Sequence, residues 1–227
     1  MITQRAFDLG IPCPGTLRIK PTALQMSTLG EFQKQYPLPW IVKPVQGHGM
    51  RGVFLVESIA EAVKQLQSAD SDCLIQECIP GAIGSMHLVG LLFNRDGKVI
   101  RRFSSHSIRT LYANGGPATA GISKNLPELI RTTERIFESL GGWRGPANVE
   151  WMLDPRDGRF KFIEVNPRLW GYGFLAVGAG VNFPVALVEA ALGRDPGADP
   201  GFKDGITMVR TTHDLIFDAC PFDVKQG

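Results

Sequence analysis

The stretch Glu164-Val165-Asn166-Pro167-Arg168 sets two oxygen-bearing side chains two residues apart, with a guanidinium just beyond them. Side chains alternate along a strand, so Glu164 and Asn166 share one face and Val165 is expected to point into a core. Upstream, Ala147-Asn148-Val149-Glu150-Trp151-Met152-Leu153 alternates in the same way, and Asp154-Pro155-Arg156-Asp157-Gly158 has the residue types that turn a chain back on itself. The pattern predicts a hairpin that brings Glu150 beside Glu164 and Asn166. Two carboxylates and a carboxamide are hard oxygen ligands of the kind that hold magnesium against phosphate oxygens. Arg168 would offer a phosphate a planar donor. A lone Glu-x-Asn reads more simply as a solvated strand face with a salt bridge, so the rest of the chain must decide.

Ile41-Val42-Lys43-Pro44-Val45-Gln46-Gly47-His48-Gly49-Met50-Arg51-Gly52-Val53 reads as an apolar strand ending in a lysine, a loop with three glycines, and a second strand. Glycines let backbone N–H groups approach phosphate oxygens with no side chain in the way, and Lys43 adds a point charge. The lysine precedes the glycines and no Gly-Lys-Ser/Thr follows, so this is neither a Walker loop nor a Rossmann fingerprint. Cys73-Leu74-Ile75-Gln76-Glu77-Cys78-Ile79-Pro80-Gly81 is a further apolar strand, stopped by Pro-Gly and carrying a polar pair near its end.

Strand-lysine, glycine loop, strand ending in Gln-Glu, and acidic hairpin with Asn-Pro-Arg occur in that order, and the chain thereby resembles the ATP-grasp superfamily. The resemblance runs from about Leu9 to Leu192. It rests on Val-Lys-Pro with its glycine loop, Gln-Glu-Cys-Ile-Pro-Gly, Asn-Val-Glu-Trp and Glu-Val-Asn-Pro-Arg-Leu-Trp-Gly. Gly115-Gly116-Pro117-Ala118-Thr119 adds a likeness to the carbamoyl-phosphate-synthase-like or carboxylate-amine ligase-like subgroup.

The resemblance implies an α+β fold in which two lobes clamp ATP. Residues 14–80 would form the small lobe with lid and hinge, and residues 81–220 the large lobe with the metal and substrate site. Residues 1–13 would be the remnant of a connecting helix and 221–227 a tail. Lys43 would contact the phosphates, and the loop with Gln46, Gly47, His48, Gly49 and Gly52 would close over them. Gln76, Glu77 and Ile79 would read the adenine edge. Glu150, Glu164 and Asn166 would bind one or two magnesium ions, with manganese as a substitute, and Arg168 would face the transferred phosphoryl group. Two departures stand out: Ile83 occupies the position where many members hold ribose with an acid, and the Rossmann-like front lobe with its own ATP-contacting lysine is missing. A shortened chain, a gene start placed too late and a minimal member completed by dimerisation are the three explanations.

The implied activity is an ATP-dependent ligase that activates a carboxylate as an acyl phosphate for capture by an amine or another nucleophile. The alternatives are a non-catalytic nucleotide-binding module or fragment of a larger synthase, and a carbamoyl-phosphate-like route through bicarbonate. The expected partners are small-molecule carboxylates and amines, with a second copy or an upstream domain completing the site.

Composition agrees with an ordinary globular protein: 227 residues, 44% apolar and 20% charged, are ample for a substantial core. There is no 18-residue apolar run and no secretory signal pattern, so no membrane partner and a cytoplasmic address are expected. Cys13, Cys73, Cys78 and Cys220 lack metal-site spacing and read as reduced packing residues. The net charge of +2 is too small for a nucleic-acid footprint, and the basic cluster Arg101-Arg102 with Arg109 is short. Under the resemblance, Val99 to Thr119 would lie beside the phosphates. Arg109 would then bind γ-phosphate or an anionic substrate, His106 would be a lesser candidate, and the Gly115-Gly116 backbone would donate to a carboxylate. Helices are predicted from Ser58 to Leu66, capped by Ser58, from Leu126 to Leu140, and from Phe183 to Leu192. Trp170 reads as core, Asp195 to Gly205 as a linker, and Ile206 to Arg210 as a last strand.

Overall fold

The structure is a computed structural model, and it describes residues 2–47, 51–81, 85–112 and 115–211. His48, Gly49, Ile83, Asn114 and Cys220 lie outside the described residues, as does the expected tail. The chain divides into two compact units, residues 13–80 and residues 1–12 with 81–227. Both combine helices with antiparallel sheets, so the α+β class expected from the sequence is the one observed.

The smaller unit holds strands β1 (Thr16–Ile19), β2 (Trp40–Pro44), β3 (Phe54–Val56) and β4 (Cys73–Glu77) in the order β1-β4-β2-β3. Helix α2 (Met26–Gln35) and helix α3 (Ile59–Gln67) accompany them. Alternation explains the strand faces: Trp40 and Val42 on β2 and Cys73 and Ile75 on β4 are buried, and they join Leu29, Phe32 and Leu66 from the helices in one cluster. Each fully buried aliphatic side chain there, such as Leu66 or Ile75, contributes roughly 1.5–3 kcal/mol. The Trp40 indole N–H donates to the Tyr36 carbonyl at 2.7 Å, so burial leaves no polar atom of that ring stranded. Ser58 caps α3 by accepting from the Glu61 amide at 3.2 Å, and the Glu61 carboxylate in turn accepts from the Glu57 amide at 2.8 Å.

In the larger unit a six-stranded antiparallel sheet runs β10-β7-β6-β5-β8-β9. Its strands are β5 (Met86–Phe93), β6 (Val99–Tyr112), β7 (Gly115–Ser123), β8 (Gly145–Asp154), β9 (Arg159–Asn166) and β10 (Thr207–Val209). The helices are α1 (Ile2–Asp8), α4 (Pro127–Glu138), α5 (Phe174–Gly178) and α6 (Phe183–Ala191). Phe103, Leu88 and Leu92 form a core with Trp170, Leu175 and Phe183. Trp170 is indeed core: its ring lies over β5 so closely that a Cβ on Gly90 would meet it at 2.4 Å, and the Phe183 ring meets it edge-on at 5.0 Å.

Val165 departs from expectation. It is half-buried rather than in the core, because β9 is an edge strand with a neighbour on one side only.

Candidate acidic site on the larger unit

The β8–β9 hairpin is built by its turn. The Asp154 carboxylate is almost fully buried, receives the Arg156 amide at 3.0 Å and the Arg156 guanidinium at 2.9 and 2.6 Å, and is held down to about 2 chiefly by that guanidinium. Gly158, at φ +67°, closes the turn by donating to the Asp154 carbonyl at 2.8 Å. The turn sets the register as far as Trp151 opposite Phe162; a one-residue shift between Trp151 and Glu150 then places Glu150 opposite Glu164 and Asn148 opposite Asn166.

Two carboxylates directly opposite one another repel unless something positive stands between them. Asn166 supplies it: its Nδ2 donates to Glu150 Oε1 at 3.2 Å and to Glu164 Oε1 at 2.9 Å. Its Oδ1 accepts from Arg168 Nη2 at 3.3 Å. The amide hydrogens thus occupy the place where a divalent cation would neutralise both acids, and rotating the carboxamide by half a turn would present Oδ1 to that cation. Among the described residues no cluster of three or more His, Cys, Asp or Glu exists. Two carboxylates and a carboxamide fit an ion such as magnesium, which keeps positions for water and phosphate oxygens rather than entering an all-protein cage.

Asn148 was not assigned from the sequence. It is almost fully buried, and its Oδ1 has no hydrogen-bond partner among the described residues. The signal was available, since Asn148-x-Glu150 mirrors Glu164-x-Asn166 on the paired strand, and the four side chains make a square of oxygen donors.

Arg168 is exposed at the end of β9, and its Nη1 donates to the Leu169 carbonyl at 3.2 Å. Arg109 is exposed on β6, where the pairing with β7 shifts register on both sides of it. The other two members of the basic cluster are engaged elsewhere. Arg101 is buried and donates to the carbonyls of Ile100, Pro196 and Gly197. Arg102 bridges Glu134 at 2.6 Å and Asp199 at 3.2 Å. Both therefore fasten the 195–199 segment to the sheet. His106 stacks on His87 at 4.6 Å between ring centroids. It is one residue out of step with Ser105, which shares a row with Leu88 and Glu150. Alternation puts its ring on the face opposite the acids.

The remaining sequence-predicted residues lie in the smaller unit. Lys43 is half-buried on β2, opposite Leu74. Gln46 and Gly47 are exposed in the loop after it. A Cβ on Gly47 would meet Pro44 at 3.0 Å, and one on Gly52, where φ is +71°, would meet it at 3.3 Å; the loop needs both glycines to fold over that proline. Gln76 is buried and donates to Thr16 Oγ1 at 3.0 Å. Glu77 accepts from the Gly15 amide at 3.0 Å, and its own amide donates to the Gly15 carbonyl at 2.8 Å. The Cys78 amide is taken by the Pro39 carbonyl at 3.3 Å, and Ile79 is buried. Gln76 and Glu77 side chains thus hold β4 to the chain around Gly15. Cys13, Cys73 and Cys78 carry reduced thiols.

Comparison with known proteins agrees with this architecture. The D-aspartate ligase of Enterococcus faecium (strain Aus0004) is 25% identical over 201 residues, which cover 80% of this chain and 46% of that protein. The acetyl-CoA carboxylase of Schizosaccharomyces pombe is 26% identical over 175 residues, 68% of this chain and 7% of that one. The chain thus spans less than half the length of either. Among solved structures, N5-carboxyaminoimidazole synthetase from Staphylococcus aureus complexed with ADP is similar with a TM-score of 0.74 at 14% identity, over 96% of this chain and 59% of that one. The biotin carboxylase domain of Hydrogenobacter thermophilus 2-oxoglutarate carboxylase, in complex with MgADP and bicarbonate, has a TM-score of 0.69 at 18% identity, over 89% and 46%. At such identities the structural likeness speaks for the fold alone. A family model, described as an ATP-grasp domain, matches residues 2–172, a span that contains Lys43, the Gln76–Ile79 segment and the whole acidic hairpin. On that match and that fold, the chain belongs to the ATP-grasp family.

Proposed function

We propose that the protein is an ATP- and magnesium-dependent ligase that activates a carboxylate as an acyl phosphate for capture by an amine. The observation that carries this reading is the convergence of Glu150, Glu164 and Asn166 on one point, with Arg168 tied to the same carboxamide. When bound, magnesium would supply charge neutralisation at the phosphate oxygens. Glu150 and Glu164 would anchor it through one oxygen each, and Asn166 through Oδ1 after turning its amide. Lys43 would meet the phosphate tail as a point charge, with backbone N–H groups of the Gln46–Gly52 loop beside it. Gln76, Glu77 and Ile79 would lie along the adenine, Gln76 and Glu77 fixing the strand and Ile79 giving it an apolar wall.

The chemistry needs concentrated positive charge because nucleophile and electrophile are both anionic. A substrate carboxylate oxygen attacks the γ-phosphorus, the bond to the β,γ-bridging oxygen breaks, and ADP leaves with that electron pair. Arg168 would hold the transferred phosphoryl oxygens in line, and Arg109 the carboxylate. The amine nitrogen then forms the C–N bond, the acyl C–O bond breaks, inorganic phosphate departs, and the nitrogen loses a proton. The relatives named as ligase and carboxylases support ATP-driven carboxylate activation as the general class. Bicarbonate is the second candidate carboxylate, and bicarbonate-dependent ATP hydrolysis would single it out.

Calorimetric titration of ATP with and without magnesium tests the reading. Magnesium-dependent binding that is lost in Lys43→Ala and in Glu164→Gln supports it. Absence of binding to the folded chain, or binding indifferent to magnesium and to both substitutions, overturns it.

A further inference from the structure

The end of β10 brings a cation to the face of the sheet that holds the acids. Glu150, Leu88 and Ser105 share a row. Ser107, two residues on from Ser105, stands in a row with Gly121 and Met208, and Met208 accordingly packs on the Trp170 core together with Tyr172. Arg210 is two residues beyond Met208. Its amide donates to the Thr119 carbonyl at 2.7 Å, which carries the ladder past the last residue of β10. Alternation therefore puts the Arg210 side chain on the face of Glu150.

The chain from Arg168 to Gly173 crosses that face. Its Tyr172 ring comes within 3.9 Å of where a Cβ on Gly121 would stand, and its phenol is hydrogen-bonded to Ser107. Gly171 is drawn to Arg210 by the same crossing. A Cβ at position 171 would stand 4.0 Å from Arg210 Nη1, the single heavy atom within 4 Å of it among the described residues, its chain neighbours aside. Gly171 is not one of the glycines with positive φ, so the backbone does not demand a glycine there. What the missing side chain leaves is open space over a guanidinium. Arg210 is half-buried and makes no side-chain hydrogen bond or ion pair among the described residues, whereas Arg101 and Arg102 of the same sheet are spent on carbonyls and acids.

A planar guanidinium with an open approach matches a carboxylate, two N–H groups to two oxygens. Its place in the sheet decides which carboxylate. Arg210 and Glu150 are four strand spacings apart, about 19 Å measured along the sheet. A carboxylate oxygen that attacks phosphorus must approach it to about 3–3.5 Å, so the attacking group belongs at the hairpin and not at Arg210. Three residues of chain span at most about 11 Å, which keeps Gly171 within reach of a molecule that also meets Arg168.

We propose that Arg210 and the space over Gly171 form a carboxylate subsite that holds the end of the substrate remote from the reacting group. The substrate class is then a dicarboxylate, with one carboxylate at the acidic hairpin and the second on Arg210, which is a specificity-determining residue. Calling the bound molecule a substrate rests on the ligase reading; the carboxylate subsite does not.

The test is nuclear magnetic resonance of the isotope-labelled chain titrated with succinate, with propionate, inorganic phosphate and chloride at equal ionic strength as comparisons. The expected result is a saturable shift of the Gly171 amide and Arg210 side-chain signals with succinate, and binding of propionate at least about tenfold weaker. Arg210→Gln should bring succinate down to about the level of propionate, and Arg210→Lys, which keeps the charge without the fork, should recover part of the loss. Gly171→Val fills the space with Arg210 in place; it should match Arg210→Gln and serves should that variant fail to fold. No shift at Gly171 and Arg210, equal or tighter binding of chloride or phosphate there, or a preference for succinate that survives both substitutions overturns the proposal. Calorimetry of magnesium-ATP on the same samples separates the two ideas. Succinate binding without nucleotide binding sinks the ligase reading and leaves the subsite standing, and nucleotide binding without succinate binding does the reverse.

Discussion

Glu150 and Glu164 face each other across the β8–β9 ladder, and the Asn166 carboxamide donates to both, at 3.2 and 2.9 Å. The pair is therefore poised between two ways of cancelling its charge, an internal one through the amide hydrogens and an external one through a cation. Asn166→Ala removes the internal way. It is expected to lower stability without metal by about 1–3 kcal/mol, since hydrogen bonds to ionised groups are lost, and magnesium should recover part of the loss. Thermal unfolding with and without magnesium reads both effects, and equal stability of variant and parent in chelator would count against the arrangement.

Glu164→Gln keeps the volume of the side chain and removes one charge. The fold should survive, shown by an unchanged circular dichroism spectrum, while magnesium-dependent ATP binding falls at least about tenfold. Unfolding of this variant would recast Glu164 as a structural residue.

Gly90 is required by Trp170. A Cβ at position 90 would stand 2.4 Å from the indole ring, and that ring is wedged between Phe103 and Phe183. Gly90→Ala should cost about 1–3 kcal/mol through overpacking, and Trp170→Leu in the same chain should relieve part of it. Denaturant unfolding of the two single variants and the double variant measures this coupling; strict additivity would contradict the contact.

Arg101 is a strap rather than a ligand. Its guanidinium serves the carbonyls of Ile100, Pro196 and Gly197, so Arg101→Met should free the segment around residue 196. Limited proteolysis is expected to cut the variant there at least several-fold faster, with nucleotide binding unchanged. A cleavage pattern identical to the parent's would remove Arg101 from this role.

His87 gives the larger unit an acid-sensitive core. Burial, opposed by its bond to the Ser85 carbonyl and reinforced by His106 and Lys124, takes its folded-state value from 6.5 to about 4. The unfolded chain therefore binds more protons between those values, and stability falls as pH drops through that window. Linkage gives a loss of about 2 kcal/mol between pH 7 and pH 5, which His87→Gln should abolish. Urea unfolding at the two pH values shows it as a change in the difference between midpoints.

Much of the hairpin was legible because its information is local. Asp154 to Gly158 encodes a turn and alternation encodes the faces, whereas the one-residue shift between Trp151 and Glu150 that brings Glu150 opposite Glu164 is set by the strands together. The Ser58 cap and the α4 and α6 helices were legible for the same reason. Helix α2 was not, since Gln25 at its start makes no side-chain cap bond and Gly30 interrupts its pattern; packing of Leu29 and Phe32 against the β2 and β4 residues holds it.

The residue order of Lys43, the glycine loop, the Gln-Glu strand and the acidic hairpin was enough to place the chain in its family, because those motifs are contiguous in sequence. The roles of Arg101 and Asn148 lay beyond such reading. Arg101 finds two of its carbonyls 95 and 96 residues away, and Asn148 is buried with its Oδ1 unpartnered among the described residues. Spacing along a chain specifies which side chains share a face, but burial and unmatched volume arise only when separate strands and helices close around them.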